Sequence, residues 1–309
     1  MAGARHRFAL PVIAVLAILA PPAGAEPGAA RLVGPFTRDD YPQAIIDRPL
    51  TLPAGMIEAE IGAQFTSLRF ETPVFGVGGT DDWDGDLAVR VGVTDRIQLE
   101  AGTAFSLDHT LRDEQGFQGV PGFDVRPSLT SWRRIVPVRL SLLALDTETL
   151  DTAVTLTLPF VAHASRTFFL GRSGEKVVTF ANGDGRVLPE VDLAAPTRWR
   201  LTDWLWLRAG ENLFAVTTGD GIAQFAFDLG VGVQPHRLFA VTLDSRMASI
   251  AFDGGGHETS QTLADAGTIE LTGFFTPLRN VDVVGSLGLP NVGRGFDDYV
   301  TRIAVRARI

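Results

Sequence analysis

The chain contains no cysteine, which excludes a disulfide scaffold, a thiol nucleophile, a cysteine-ligated zinc site and a lipid-modified N-terminal cysteine. Lysine is almost absent too: of 27 basic residues, 26 are arginine. Acidic side chains number 36, giving a formal charge of -9 that repels nucleic-acid phosphate over most of a surface. Beyond the N-terminus no apolar run reaches the roughly 18 residues that a spanning helix needs, and helical periodicity is scarcely seen. Yet 45% of the 309 residues are hydrophobic and the mean hydropathy is +0.16. That composition excludes disorder. It demands another distribution of apolar residues.

Arg5, His6 and Arg7 precede an apolar run from Phe8 to Ala20, which Pro21 and Pro22 interrupt ahead of Ala23-Gly24-Ala25. A basic start, a short apolar stretch and an A-x-A site read as a secretory signal over residues 1–25, cleaved before Glu26. Without Arg5 and Arg7 the chain keeps 25 basic against 36 acidic side chains, a formal -11. Residues 26–55 are rich in Pro, Asp and Ala, have no sustained period, and read as a periplasmic lead-in.

From Met56 onward the pattern changes to segments of about ten residues with apolar/polar alternation, separated by Gly, Asp, Asn and Pro clusters. Ile57, Ala59, Ile61, Ala63 and Phe65 share one face of the first segment, while Glu58, Glu60, Gln64 and Thr66 share the other. In the last segment Tyr299, Thr301, Ile303, Val305, Ala307 and Ile309 alternate with Arg302, Ala304, Arg306 and Arg308. This dyad repeat marks a strand with one greasy and one wet face. Short turns fall at Thr94-Asp95, Thr202-Asp203, Gln234 to Arg237, Thr276 to Asn280 and Asp146 to Asp151. Longer polar connections fall at 70–82, 107–134, 163–188, 250–265 and 290–297.

Short turns on one rim and long loops on the other predict an all-β fold, a closed antiparallel transmembrane β-barrel occupying residues 56–309. The strand count is twelve: 56–68, 83–93, 96–106, 135–146, 152–162, 189–200, 204–216, 222–233, 238–249, 266–276, 280–289 and 298–309. An even count lets the first and last strands close the sheet. Fourteen is the alternative, with Val125 to Trp132 and Val177 to Phe180 as extra strands. A soluble periplasmic β protein also alternates, so the wet face decides between them. That face carries Glu58, Glu60, Asp84, Asp86, Arg90, Glu100, Arg139, Glu190, Asp192, Arg198, Arg200, Arg208, Asp228, Asp244, Arg246, Glu270, Asp282, Arg302, Arg306 and Arg308. Both signs together suit pairing across a narrow lumen. At the seam, Glu58 and Glu60 should form an ion-pair ladder with Arg306 and Arg308. Trp199, Trp204 and Trp206 are expected as interface aromatics at a turn.

Arg48-Pro49-Leu50-Thr51-Leu52-Pro53-Ala54-Gly55, leading into the first strand, and the G-V-T-D-R-I-x-L hairpin from Gly92 to Leu99 resemble the outer-membrane meta-pathway phenol-degradation protein family and related transporter-like barrels. The likeness covers most of the mature chain through short motifs. It implies a barrel of roughly twelve strands admitting small hydrophobic or aromatic compounds. One departure is the last residue: such barrels usually end in Phe or Trp, and this chain ends in Ile309.

No enzyme is expected. None of His109, His163, His236 and His257 has a convincing partner; His163 with Ser165 is the nearest pair, and both fall where a strand enters a loop. No cofactor is expected beyond Ca²⁺ in outer loops, for which Asp81, Asp82, Asp84 and Asp86 and the run Asn182-Gly183-Asp184-Gly185 are the candidates. Turn chemistry explains Asn-Gly and Asp-Gly equally well.

The lumen-lining, selectivity-setting residues are taken as Glu58, Glu60, Arg90, Arg198, Arg200, Arg208, Asp228, Glu270, Arg302, Arg306 and Arg308, with Arg198, Arg200, Arg302 and Arg306 forming a positive strip. The expectation is a monomeric Gram-negative outer-membrane channel for small solutes. The rival is a non-conducting structural or surface-interaction barrel with a filled lumen. The expected partners are lipid, lipopolysaccharide and the barrel-assembly machinery, with no nucleic acid.

Overall fold

A computed structural model describes residues 36–37, 39–72, 76–113, 126–170, 176–182, 188–210, 214–217, 222–252, 258–262, 268–289 and 298–309. The expected signal peptide lies outside them, as do His257 and residues 183–185. The strands are β1 (Ile57–Thr72), β2 (Gly76–Thr94), β3 (Ile97–Asp113), β4 (Arg126–Asp146), β5 (Leu150–Leu170), β6 (Lys176–Asn182), β7 (Leu188–Ala194) and β8 (Thr197–Arg200). There follow β9 (Leu205–Ala209), β10 (Phe214–Thr217), β11 (Ile222–His236), β12 (Phe239–Phe252), β13 (Glu258–Thr262), β14 (Thr268–Leu278), β15 (Val281–Leu289) and β16 (Tyr299–Arg308).

Every pairing is antiparallel, and the sheet closes on itself. β16 pairs with β1, and β11 pairs with β12, so the described ring has no unpaired edge. Sixteen segments fill twelve positions, because β6, β7 and β8 share β5, β9 and β10 share β11, and β13 and β14 share β12. Twelve is therefore the ring count. Val125 to Trp132 is not a separate strand, since from Arg126 it is the outer half of β4; Val177 to Phe180 lies in β6, stacked beyond β7 on the same flank of β5.

Much of what was expected as loop is strand. β4 and β5 each run 21 residues, about 70 Å of chain, where roughly 9–11 residues suffice to cross a bilayer. Strand continuing beyond the hydrocarbon meets water on both faces, so it has no need of the apolar alternation that marks the inner halves.

The short turns have a shared cause. Thr94 Oγ1 accepts from the backbone N–H groups of Arg96 and Ile97 at 3.2 and 3.1 Å, and Thr202 Oγ1 accepts from those of Trp204 and Leu205 at 3.3 and 3.1 Å. Thr147 Oγ1 does the same for Leu150 at 2.9 Å. In each case a hydroxyl satisfies turn donors that would otherwise lack a strand partner.

Alternation then sends greasy side chains outward and charged ones inward. Ile61, Phe227 and Ile303 are 64%, 52% and 59% exposed, while Glu58, Glu60 and Asp282 are 5%, 4% and 0% exposed. Trp199 conforms to the expected outer girdle, at 53% exposed; Trp206 does not, being 2% exposed and turned inward. Its ring lies over Gly232, where a Cβ would collide with the indole.

The described part of the lead-in enters the barrel. Residues 41–52 form a strap across the turn end of the lumen, with a short 3-10 turn at Ile45–Asp47. Ile46 packs on Trp206 and Ala240, and Leu52 packs with Phe36, Tyr41 and Met56. The Ile46 N–H donates to Gln234 Oε1 at 3.1 Å, and the Leu52 N–H donates to Gln98 Oε1 at 2.9 Å. The strap leaves the lumen past Gly92, whose N–H donates to the Met56 carbonyl at 2.9 Å. A side chain at position 92 would strike the carbonyls of Leu52 and Pro53.

Candidate functional site

Register alone sets out the site. Arg308, Glu58, Arg90, Glu100, Arg139, Thr157 and Asp192 lie directly opposite one another across seven consecutive positions of the ring. One turn of alternation further from the rim, Asp282, Arg306 and Glu60 form a second such row. Directly opposed residues of opposite sign attract, and like charges there repel, so the alternating order favours this register.

The expected seam ladder is present and extends well past the seam. Glu58 accepts from Arg90 at 2.5 Å and pairs with Arg308 at 2.6 Å. Glu60 holds three guanidinium groups, those of Arg90 at 2.9 Å, Arg306 at 2.5 Å and Arg302. Arg90 also reaches Glu100 at 2.8 Å, and Arg139 reaches Glu100 at 3.2 Å while its Nε donates to Thr157 Oγ1 at 3.1 Å. Arg302 bridges to Asp86 at 2.7 Å across β1, and Gly62 makes room, since a Cβ there would collide with the Asp86 carboxylate. Arg208 likewise reaches Asp244 at 3.1 Å over Gly230. Missing side chains thus let two ion pairs skip a strand.

The strap is fastened by the same chemistry. Asp282 accepts from Arg48 at 2.7 and 3.0 Å, from Thr276 Oγ1 at 2.9 Å and from Arg308. Tyr41 lies between the two cations, with Arg48 and Arg308 5.5 and 5.3 Å from its ring centroid. Burial raises the Tyr41 phenol above its ordinary value, while Arg308 and Arg48 pull the other way. On the opposite wall Arg198 pairs with Asp151 at 2.5 Å and donates to the strap carbonyls of Ile45, at 3.1 Å, and Arg48. Arg200 takes Asp47 of the strap at 2.6 Å and Asp203 at 3.3 Å.

The expected positive strip therefore does not form. Arg198 and Arg200 are turned onto the strap and its neighbours, and Arg302 onto Glu60 and Asp86; of the four, Arg306 keeps the most donors facing the lumen, both of its Nη groups. Asp228 supports the wall: its carboxylate accepts the Gly210 N–H at 2.6 Å, at a break between β9 and β10 where Gly210 has φ +78°. Glu270 does face the lumen, exposed, and accepts from Thr272 Oγ1 at 3.4 Å. Asp81, Asp82 and Asp84 lie along β2 opposite Ser67, Thr66 and Gln64, and among the described residues no three His, Cys, Asp or Glu groups converge as a metal site. The side chains of Glu190, Arg246, His109, His163 and Ser165 lie outside the described residues.

Sequence reasoning missed Arg48, Tyr41 and Asp151. A lone arginine and a tyrosine in a Pro-rich, non-periodic stretch give no period to read. The available signal was the excess of inward arginines over nearby carboxylates near the turns.

Among the described residues, the lumen beyond the strap holds cavities of about 600 and 530 Å³. Arg306 and Phe274 line both and stand at their junction. A closed sheet with an apolar exterior, charged interior and internal cavities is a transmembrane β-barrel.

No protein-family model and no curated protein sequence matches the chain. Among solved structures, it is similar to the COG4313 outer membrane channel from Pseudomonas putida F1 (10% identity, 89% of this chain and 100% of that one, TM-score 0.48). It is similar too to the translocator domain of the autotransporter NalP from Neisseria meningitidis (10% identity, 84% and 90%, TM-score 0.48). A third is a TodX monoaromatic hydrocarbon channel mutant (9% identity, 87% and 92%, TM-score 0.43). At such identities these likenesses carry no argument about chemistry.

Proposed function

We propose that the protein is a channel of the Gram-negative outer membrane, exported by its N-terminal signal and passing small polar solutes through the lumen. The observation that carries this reading is the pair of adjoining cavities inside a charged wall whose outer face is apolar. An apolar belt of this extent is unstable in water and suits lipid. Ion pairs fix the wall and leave space between them, which a lumen packed by side chains would not. Lipid, lipopolysaccharide and the assembly machinery are its partners on this reading, and no catalysis is required. A wall so rich in charge favours polar or ionised solutes over the neutral hydrophobic ones implied by the family resemblance.

The strap gives the pathway a constriction at the turn end. It also supports the second reading, a barrel that conducts nothing while the strap is seated. Planar-bilayer recording of the purified protein, with and without residues 36–52, separates the two. The channel reading expects conductance in the full chain and a larger step without the strap. No conductance from either form overturns it in favour of a structural or surface-interaction barrel.

A further inference from the structure

We infer that the cavity next to the strap is a binding site for small monocarboxylates with an apolar body, held through Arg139 and Arg306. The inference rests on the channel reading and names the solute class for it.

The first support is one connected network of ion pairs that holds its guanidinium groups in place. Arg48, Arg90, Arg139, Arg302, Arg306 and Arg308 are joined through Glu58, Glu60, Asp86, Glu100 and Asp282. Asp192, opposite Thr157 in the same row, lines the cavity as well, so the wall is close to neutral as a whole and the pull on an anion comes from individual guanidinium donors left without an acceptor.

The second support is where the network leaves donors unmet. Arg139 and Arg306 are the loosest members, each bound to a single carboxylate that other arginines share. Arg139 uses Nε on Thr157 and Nη1 on Glu100, and Arg306 uses only Nε, on Glu60. Among the described residues, Arg139 Nη2 and both Nη groups of Arg306 find no protein acceptor. Their side chains are 40% and 25% exposed, and both line the cavity of about 600 Å³. An anion taken there gains charge-assisted hydrogen bonds from donors that are already positioned. The third support is the floor: Pro49 and Leu50 of the strap and Phe274 line the same cavity and give an apolar body a dry surface.

Calorimetric titration of the refolded full chain in detergent, with benzoate, its neutral isostere benzamide, and acetate, tests this. Benzoate should bind with at least tenfold greater affinity than benzamide or acetate. Arg139→Gln and Arg306→Gln should each weaken benzoate at least tenfold. Both variants spare the fold, because Glu100 keeps Arg90 while Glu60 keeps Arg90 and Arg302; heat-modifiable gel migration checks it. Equal binding of benzoate and benzamide overturns the role of charge. Acetate as tight as benzoate overturns the apolar floor, and variants that bind like wild type overturn the assignment to these arginines. Calorimetry reads binding whether or not the barrel conducts, so an empty site and a non-conducting barrel give different results.

Discussion

Replacing Asp282 by alanine should unseat the strap while leaving the barrel closed. Asp282 is wholly buried and is the sole carboxylate on Arg48 among the described residues, whereas Arg308 keeps Glu58 at 2.6 Å after the change. Arg48 would be left as a buried guanidinium bound only to the carbonyls of Pro42 and Gln43. Removing one partner of a buried pair costs about 3–5 kcal/mol. Here that cost falls on the seated strap, because the released strap hydrates its arginine. At 1.36 kcal/mol per tenfold, the Ile46 and Leu52 amides should exchange with deuterium roughly two to four orders of magnitude faster. The closed ladder of β1 to β16 should exchange as before. Arg48→Met orphans no charge, since Asp282 retains Arg308 and Thr276, so its acceleration should be smaller. Strap amides in Asp282→Ala that exchange within threefold of wild type would refute the latch, as would an equal loosening of the ladder.

Other changes follow from packing and close approach. Ile46→Ala removes the strap's anchor on Trp206 and should cost about 2–5 kcal/mol of strap seating, read by the same exchange measurement. Gly92→Ala drives a methyl into the Leu52 and Pro53 carbonyls and should raise strap exchange by an amount matching about 1–3 kcal/mol; unchanged exchange would mean that the strap passes elsewhere. Gly230→Ala pushes the Asp244 carboxylate off Arg208, and urea unfolding of the refolded barrel should show a loss of about 1–3 kcal/mol. The same substitution at Gly288, where a Cβ meets only ordinary neighbours at 3.8 Å or more, should cost far less.

The fold was legible because one rule governs every strand: Ile57 to Thr66 and Tyr299 to Ile309 each show a greasy and a wet face, and their wet faces carry opposite charges that meet at the seam. The Thr-Asp turns were legible for a similar reason, a local hydroxyl serving local donors. The outer halves of β4 and β5 were not, since strand surrounded by water needs no alternation. Nor was the strap. Its hold depends on Gln98, Gln234 and Asp282 from distant strands, and no periodicity within residues 41–52 announces such partners. Trp206 misled for the same reason: beside Trp204 it read as part of an interface cluster, whereas its inward position follows from the strap packed beneath it. The charge class of the lumen was visible in the sequence, but pairing redistributed it, leaving Arg139 and Arg306 among the more exposed cations and drawing Arg198 and Arg200 onto the strap.

The central claim is the inside-out wall, and the absence of native cysteine allows it to be tested at single residues. Thr157→Cys and Leu158→Cys place a thiol at neighbouring positions of β5, the first 8% exposed and facing the lumen, the second 39% exposed and facing out. In proteoliposomes, a charged methanethiosulfonate reagent should label Cys at 157 and spare Cys at 158, with a lipid-soluble maleimide showing the reverse preference. Labelling of 158 by the charged reagent, with 157 protected from it, would contradict the account.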